Sequence, residues 1–250
     1  AGDGDTPSEA EATEDALSSG RVEVLLERDR YFDPPREELV HELKRALRVE
    51  QNDLLDRLRS LRKGTNPVEV ISIEESTKGI SEATTLALVG AYRAGRRFAS
   101  DRLGPRAAAV PPGELETAAH SAGLAAADRL GGEIASAIAR RLEEELRPGA
   151  TETGSYQNAV GAVYRDWKGE RVEDLAADHA VSAFSEGVVA VATRAGVGVT
   201  WIADDGTRNC SDCEDDELAG VVAAGGAFPT GQTYPPAHGG CRCVIAPAAE

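Results

Sequence analysis

The four cysteines of this 250-residue chain all lie near its carboxyl end, where one histidine accompanies them. Cys210 and Cys213 form a C-x-x-C turn, which points two sulfur atoms toward one centre. His238, Cys241 and Cys243 follow in a second short segment, which completes a tetrahedral metal site if the intervening chain doubles back. This spacing is typical of a zinc knuckle, although a disulfide-bonded knot fits the same pattern.

Five side chains compete for the four positions of a tetrahedral site. We predict Cys210, Cys213 and His238 as the first three metal ligands. Cys241 is the preferred fourth ligand because it closes a compact H-x-x-C turn, and Cys243 is the alternative. A zinc ion here would staple a loop-rich module, since no set of residues beside it looks like a catalytic site. The chain is therefore predicted not to be an enzyme.

The chain is strongly acidic, with a formal net charge of -16 from 43 acidic and 27 basic residues. Such a surface repels the phosphate backbone of DNA at long range, whereas a protein that lives on duplex DNA shows a basic stripe. Excess carboxylate with few lysines is typical of halophilic proteins, and a GC-rich genome that favours arginine is the alternative explanation. The acidic residues near the cysteines, such as Asp204, Asp216 and Glu217, are expected to be solvated charge rather than a calcium or magnesium site.

Arginines nevertheless cluster on two predicted helices. Arg93, Arg96 and Arg97 lie on neighbouring turns of one helix, joined by Arg102, and Arg140–Arg141 lie near the end of another. These side chains could contact phosphates on DNA. Given the net charge, the pattern favours ion pairs with the surplus carboxylates instead.

The apolar periodicity and the changes in composition along the chain predict a mainly α fold. It consists of a helical body with a small C-terminal Cys/His-stapled module of short strands and loops. Residues 1–20 form a predicted acidic disordered tail, 21–195 the helical body, and 196–250 a zinc-knuckle-like module. No targeting or membrane-spanning segment is predicted, because the most hydrophobic stretch, Val188–Val199, is short and rich in glycine and alanine.

Within the body, Pro34-Pro35 is expected to end a short apolar strand or docking segment, Val22–Phe32. A leucine-rich helix then runs to Gly64, and a poorly alternating stretch, Val68–Ile73, follows it. The paired Gly131-Gly132 is expected to kink a helix or to let another helix approach closely. The remaining predicted helices are Ala83–Leu103, Glu114–Leu146, Tyr156–Trp167 and Glu170–Ala195.

The last third of the chain also carries a longer motif. Trp201 lies in a predicted strand after a helix, and the segments that follow are Arg208-Asn209-Cys210-Ser211-Asp212-Cys213, Leu218-Ala219-Gly220 and Pro235-Pro236-Ala237-His238-Gly239-Gly240-Cys241-Arg242-Cys243. This order resembles the C-terminal module of the Mu F-like minor head proteins of tailed viruses. The acidic run Cys213–Glu217 and the helix sequence Ala177–Ala180 differ from that pattern.

The resemblance implies a virion protein present in few copies, lying inside the capsid near the portal vertex after synthesis in the host cytoplasm. Its implied work is head assembly, DNA packaging or genome delivery, without catalysis. The implied partners are the portal protein, the major capsid protein or both, with contact to packaged DNA, and neither a membrane nor a small-molecule substrate. A zinc-ribbon adaptor that binds nucleic acid outside any virion is the rival interpretation, and the acidity argues against it.

Overall fold

A computed structural model describes residues 9–62, 64–107, 111–147, 156–204 and 210–248 of the chain. These residues form long helices and one small three-stranded antiparallel sheet in the order β2-β1-β3. The helices are α1 Glu9–Arg59, α2 Ile73–Leu103, α3 Pro112–Glu145, α4 Tyr156–Asp166, α5 Val172–Ala195 and α6 Ser211–Leu218; the strands are β1 Gly198–Ile202, β2 Val221–Ala223 and β3 Val244–Pro247. The predicted fold class, a mainly α body with a C-terminal Cys/His module of short strands, is confirmed.

The first helix differs most from the sequence-based prediction. α1 is continuous through Pro34 and Pro35, so the expected break at the prolines is wrong, and the stretch Val22–Phe32 is helical rather than a strand. Phe32 and Leu39, on either side of the prolines, are both buried, and Pro35 lies against Gly90 of α2. Burial of this apolar stripe outweighs the lost backbone hydrogen bonds, since propensity yields to tertiary packing.

The predicted disordered tail also differs from the structure in part. Residues 9–20 have a helical backbone because α1 begins at Glu9. Residues 1–8 of that predicted tail lie outside the described residues.

α2 begins at Ile73, ten residues before the predicted start at Ala83. Ser72 is the N-cap, and its hydroxyl accepts a hydrogen bond from the backbone N–H of Glu75 at 3.2 Å. Ser72 and Glu75 have the spacing of a capping box, a signal that places the helix start here. The stretch before it is a short 3-10 helix, Pro67–Val70, rather than a strand.

α2 lies at the centre of the body, and small residues bring its neighbours into backbone contact. A Cβ atom built on Gly95 would lie 1.8 Å from the carbonyl oxygen of Phe184, and one on Gly187 would lie 2.2 Å from that of Tyr92. At these two points the backbones of α5 and α2 meet without side chains between them. The abundance of glycine and alanine in the sequence is explained by such close contacts, which only small residues permit.

The C-terminal module shares its core with the helices. Trp201 of β1 is 1 % exposed and packs edge-on against Phe228, with ring centroids 5.2 Å apart. Buried residues of the sheet and of α1, α2 and α5 form one contiguous apolar cluster. The module is therefore seated on the body through a common core.

The helical run Tyr156–Ala195 is long and apolar enough to cross a membrane by length and composition, with a mean hydropathy of 1.2 in its best window. No such segment is predicted from the sequence, in which Val188–Val199 is the most hydrophobic stretch but is short and rich in glycine and alanine. In the structure 56 % of that window is buried inside the protein. This burial is what a core helix such as α5 shows, and Val172, Ala180 and Val188 are all fully buried.

The Gly131-Gly132 pair does not end α3, and the close-approach alternative accounts for one of the two. A Cβ on Gly131 would lie 2.7 Å from the carbonyl oxygen of Thr77, whereas one on Gly132 would meet nothing within 4 Å.

Gly131→Ala should therefore destabilise the protein by about 1–3 kcal/mol through overpacking. Gly132→Ala should stabilise it by about 0.5–1 kcal/mol, because alanine is the better helix former. Denaturant unfolding of the two variants checks this, and equal effects would contradict it.

Candidate metal centre

Three short elements place the five candidate ligands. Cys210 is the N-cap of α6 and Cys213 lies in its first turn, so both sulfurs come from one helix start. His238 and Cys241 belong to a turn closed by the Cys241 N–H donating to the His238 carbonyl at 3.1 Å. Cys243 directly precedes β3. Because β3 pairs with β1 beside α6, the second segment returns to the first, as the spacing predicted.

The distances around Cys213 match the edges of a tetrahedral zinc site. Its Sγ lies 3.6 Å from Nε2 of His238 and 4.0 Å from Sγ of Cys241. With Zn–S near 2.3 Å and Zn–N near 2.0 Å, two such sulfurs lie about 3.8 Å apart, and a sulfur and a nitrogen about 3.5 Å. The group of four cysteines and one histidine can bind a metal.

The five ligand atoms form two triangles that share Cys213. In one, the atoms of Cys210, Cys213 and His238 lie within 4.8 Å of one another, and in the other those of Cys213, Cys241 and Cys243 do. The structure therefore brings all five predicted residues together. It does not separate Cys241 from Cys243, so the choice of fourth ligand stays a prediction.

The imidazole of His238 is already oriented for metal binding. Its Nδ1 lies 3.0 Å from the carbonyl oxygen of Gly239, which fixes this nitrogen as the protonated one when the ring is neutral. The lone pair of Nε2 then faces the sulfurs. Metal-ligating histidines generally donate their second N–H in this way.

The four cysteines are free thiols in the structure. A hydrogen bond from the Cys243 thiol lowers the pKa of Cys241 to about 5. Burial raises the pKa of Cys213, and the hydrogen bond to Cys241 raises that of Cys243. A bound cation would replace these protons, because metal ligands must be deprotonated.

An arginine of α1 joins the centre to the helical body. Arg28 is only 4 % exposed, and its guanidinium donates to the backbone carbonyl of Arg242, which lies between two candidate ligands. The same guanidinium donates to Oδ2 of Asp204 at 2.9 Å. Arg21, two turns earlier, donates to the carbonyl of Ala203 at 2.7 Å. α1 therefore holds both the end of β1 and the Cys241–Cys243 segment.

α5 holds the other side of the ligand loop. Asp178 accepts a hydrogen bond from the backbone N–H of Gly240 at 2.8 Å, and burial raises the pKa of this carboxyl. Glu186, two turns later, accepts a hydrogen bond from the hydroxyl of Tyr234 at 2.9 Å. The loop that carries His238 and Cys241 is thus bonded to α5 at two points, one before the turn and one within it.

Two carboxylates of the module were wrongly predicted to be solvated charge. Asp216 is fully buried and accepts hydrogen bonds from the backbone N–H and the hydroxyl of Thr230. Asp204 lies 14 % exposed beside Arg28. The net charge does not predict the burial of these two carboxylates. Their burial and their hydrogen-bond partners depend on contacts between segments that are distant in the sequence.

The residues predicted from the sequence do not include Arg21, Arg28 and Asp178, which support the site. One signal for Arg28 was present: Val24, Arg28 and Phe32 follow at i, i+4 spacing, and both apolar neighbours are buried. A charged residue on a buried helical stripe requires a polar partner, because an unpaired buried charge is costly. The partner of Arg28, however, is Asp204, which lies 176 residues further along the chain.

The chain matches no family model, and no curated protein or solved structure proved significantly similar to it. The resemblance of the last third to Mu F-like head proteins therefore stays a prediction.

Purified protein should contain about one zinc per chain, the stoichiometry of a structural site. Cys213→Ser should lose the metal, because its sulfur belongs to both ligand triangles, and its melting temperature should fall by about 5 °C or more. Cys243→Ser is the matched control and should keep the zinc if Cys241 is the fourth ligand. Elemental analysis and thermal melting with and without chelator check this. Zinc lost from Cys243→Ser but kept by Cys241→Ser would reverse the ligand assignment, and an unchanged melt after chelation would contradict a structural metal.

Arg28→Met should cost about 3 kcal/mol of stability, because it removes the buried guanidinium that binds the Asp204 carboxylate and the Arg242 carbonyl. Arg30→Met, on the exposed side of the same helix, is the matched control and should change stability by less than about 0.5 kcal/mol. Denaturant unfolding measures both variants. Equal stabilities would show that α1 does not hold the module.

Proposed function

We propose that this chain is a minor head protein of a tailed virus, placed inside the capsid near the portal vertex, whose C-terminal module is locked by a structural zinc ion. One observation carries the proposal. The members of the Cys/His motif that resembles the Mu F-like module gather around Cys213, whose sulfur lies at distances suited to zinc from His238 and Cys241. A motif that matched by chance would give no reason for its widely spaced members to meet.

The burial of three of the five candidate ligands supports a structural rather than a catalytic metal. Cys213, Cys241 and Cys243 are 3 %, 3 % and 5 % exposed. A catalytic zinc needs an open position for water or substrate, whereas this centre has more candidate ligands than a closed tetrahedron requires. We therefore propose a protein without enzymatic activity.

The helical body supplies the surface for the proposed partners. Several large apolar side chains of α1, α2 and α3 are exposed: Val22, Leu26, Val49, Leu86 and Leu124, with Leu86 at 77 %. Exposed apolar groups on a rigid helical frame suit contact with another protein, here the portal or the inner capsid shell. In this proposal the C-terminal module, held by zinc, keeps one end of the helical body rigid.

The rival zinc-ribbon adaptor lacks support from the charge of the chain. An adaptor that acts on duplex DNA would carry a basic stripe, and its binding would weaken steeply with salt. The net charge of -16 opposes such binding at long range. The same charge supports a halophilic source, in which concentrated salt screens the self-repulsion of the surface.

Mass spectrometry of purified virus particles tests the proposed function. The chain should be present in far fewer copies than the major capsid protein, and it should resist added protease until the heads are opened. Cys213→Ser should reduce incorporation, because the module would no longer be locked, while Cys243→Ser should be incorporated normally if Cys241 is the fourth ligand. A chain found only outside particles, or digested from intact heads, would refute the proposal; salt-sensitive duplex binding in that case would favour the adaptor.

A further inference from the structure

A basic cleft lies between α2, α3 and α5, on a part of the body that the metal centre does not reach. Its volume is about 340 Å³. Four arginines, Arg93, Arg96, Arg97 and Arg194, line it together with the hydroxyl-bearing Ser100. In a chain with a net charge of -16, four guanidinium groups around one cleft are unexpected.

Tertiary structure completes this cluster. The sequence placed Arg93, Arg96 and Arg97 on one helix, but Arg194 is almost a hundred residues away on α5. The backbone of α5 touches that of α2 at Gly187, where a Cβ would lie 2.9 Å from the backbone nitrogen of Arg96. Arg194 lies two turns beyond this contact and so reaches the same cleft.

The arginines exceed the carboxylates available to them. Arg93 pairs with Glu116, and Arg194 lies 3.4 Å from a carboxylate oxygen of Glu114. Both pairs are largely exposed, and such pairs contribute little stability.

Arg96 and Arg97 are the unmatched pair. Arg96 lies over the ring of Tyr92, 5.9 Å from its centroid. Neither Arg96 nor Arg97 has a carboxylate oxygen within ion-pair distance in the described part of the chain. The nearest acid along the helix, Asp101, accepts a hydrogen bond from the hydroxyl of Tyr31. The cleft therefore holds four cationic groups against two paired carboxylates.

We infer that this cleft binds a phosphate group. Guanidinium groups present planar, paired donors that match phosphate oxygens, and the Ser100 hydroxyl adds a neutral donor. Leu115 and Val191 also line the cleft, which limits competing water on one side. At the small end of the range for ligand clefts, the volume suits a phosphate with a short attachment rather than the face of a duplex.

The acidic surface does not prevent local phosphate binding. Charges separated by more than about 8 Å are largely screened at physiological ionic strength, so the distant carboxylates matter less than the arginines that touch the ligand. The phosphate could come from a free nucleotide or from the backbone of single-stranded or duplex nucleic acid. This inference does not rest on the proposed viral function.

Equilibrium binding to pyrophosphate, ATP and short labelled oligonucleotides, single-stranded and duplex, tests the inference with the full-length protein. Arg96→Gln/Arg97→Gln should weaken binding at least about tenfold, because each removed guanidinium loses charge-assisted hydrogen bonds. Arg45→Gln/Arg59→Gln is the matched control: it removes the same charge from arginines that are 61 % and 57 % exposed on another face, and it should bind like the unmodified chain. Arg97→Gln alone, at an exposed position, is the second variant if the double variant unfolds.

The probes also identify the source of the phosphate. Binding of pyrophosphate and ATP alone would support the site with a free nucleotide as its ligand. Binding of oligonucleotides, with a salt slope reduced by about 2 in the double variant, would support the site with a nucleic-acid backbone as its ligand. The inference fails if no probe binds the unmodified chain, or if the control variant weakens binding as much as the cleft variant does. Cys213→Ser, which tests the metal module, should leave phosphate binding unchanged as long as the helices stay folded.

Discussion

The buried guanidinium of Arg28 links the helical body to the C-terminal module. A charge taken out of water must find partners, because its desolvation otherwise costs several kcal/mol. Its partners are the carboxylate of Asp204 at the end of β1 and the carbonyl of Arg242 between two candidate ligands. The position of the ligand segment is therefore set by α1 as well as by any metal, and the body and the module stabilise each other.

The ligand loop of the Cys/His centre is held by helices on two sides. Asp178 and Glu186 of α5 bind the ligand loop from one side, while α1 binds it from the other. The protein thus orients His238 and the thiols before a metal arrives, which lowers the entropic cost of closing the site. The buried thiols of this centre suit a metal that stabilises a loop-rich end, which is the structural role we propose.

The charge of the protein acts on two length scales. Over long distances the excess of carboxylates dominates, and it repels nucleic acid and other polyanions. Over a few ångströms the pairing of individual groups decides, so Arg96 and Arg97 can form a cationic cleft within an acidic surface. The net charge therefore determines the long-range interactions of the protein, whereas local geometry determines which ligand a particular cleft can bind.

Sequence by itself determined the elements whose cause is local. The i, i+4 apolar pattern located most helices, and the C-x-x-C turn with the H-x-x-C-x-C segment identified all five residues of the centre. These features are readable because each depends on residues close together in the chain. The kinship and the viral function drawn from the same segment remain predictions.

Only the tertiary structure decided that α1 runs through Pro34-Pro35, that Gly131 and not Gly132 meets a neighbouring helix, and that Arg28 and Asp178 hold the ligand loop. It also brought Arg194 to the arginines of α2. Each of these outcomes depends on contacts between residues far apart in the chain. Local propensity and composition carry no information about such contacts, because the energy that decides them comes from burial shared between elements.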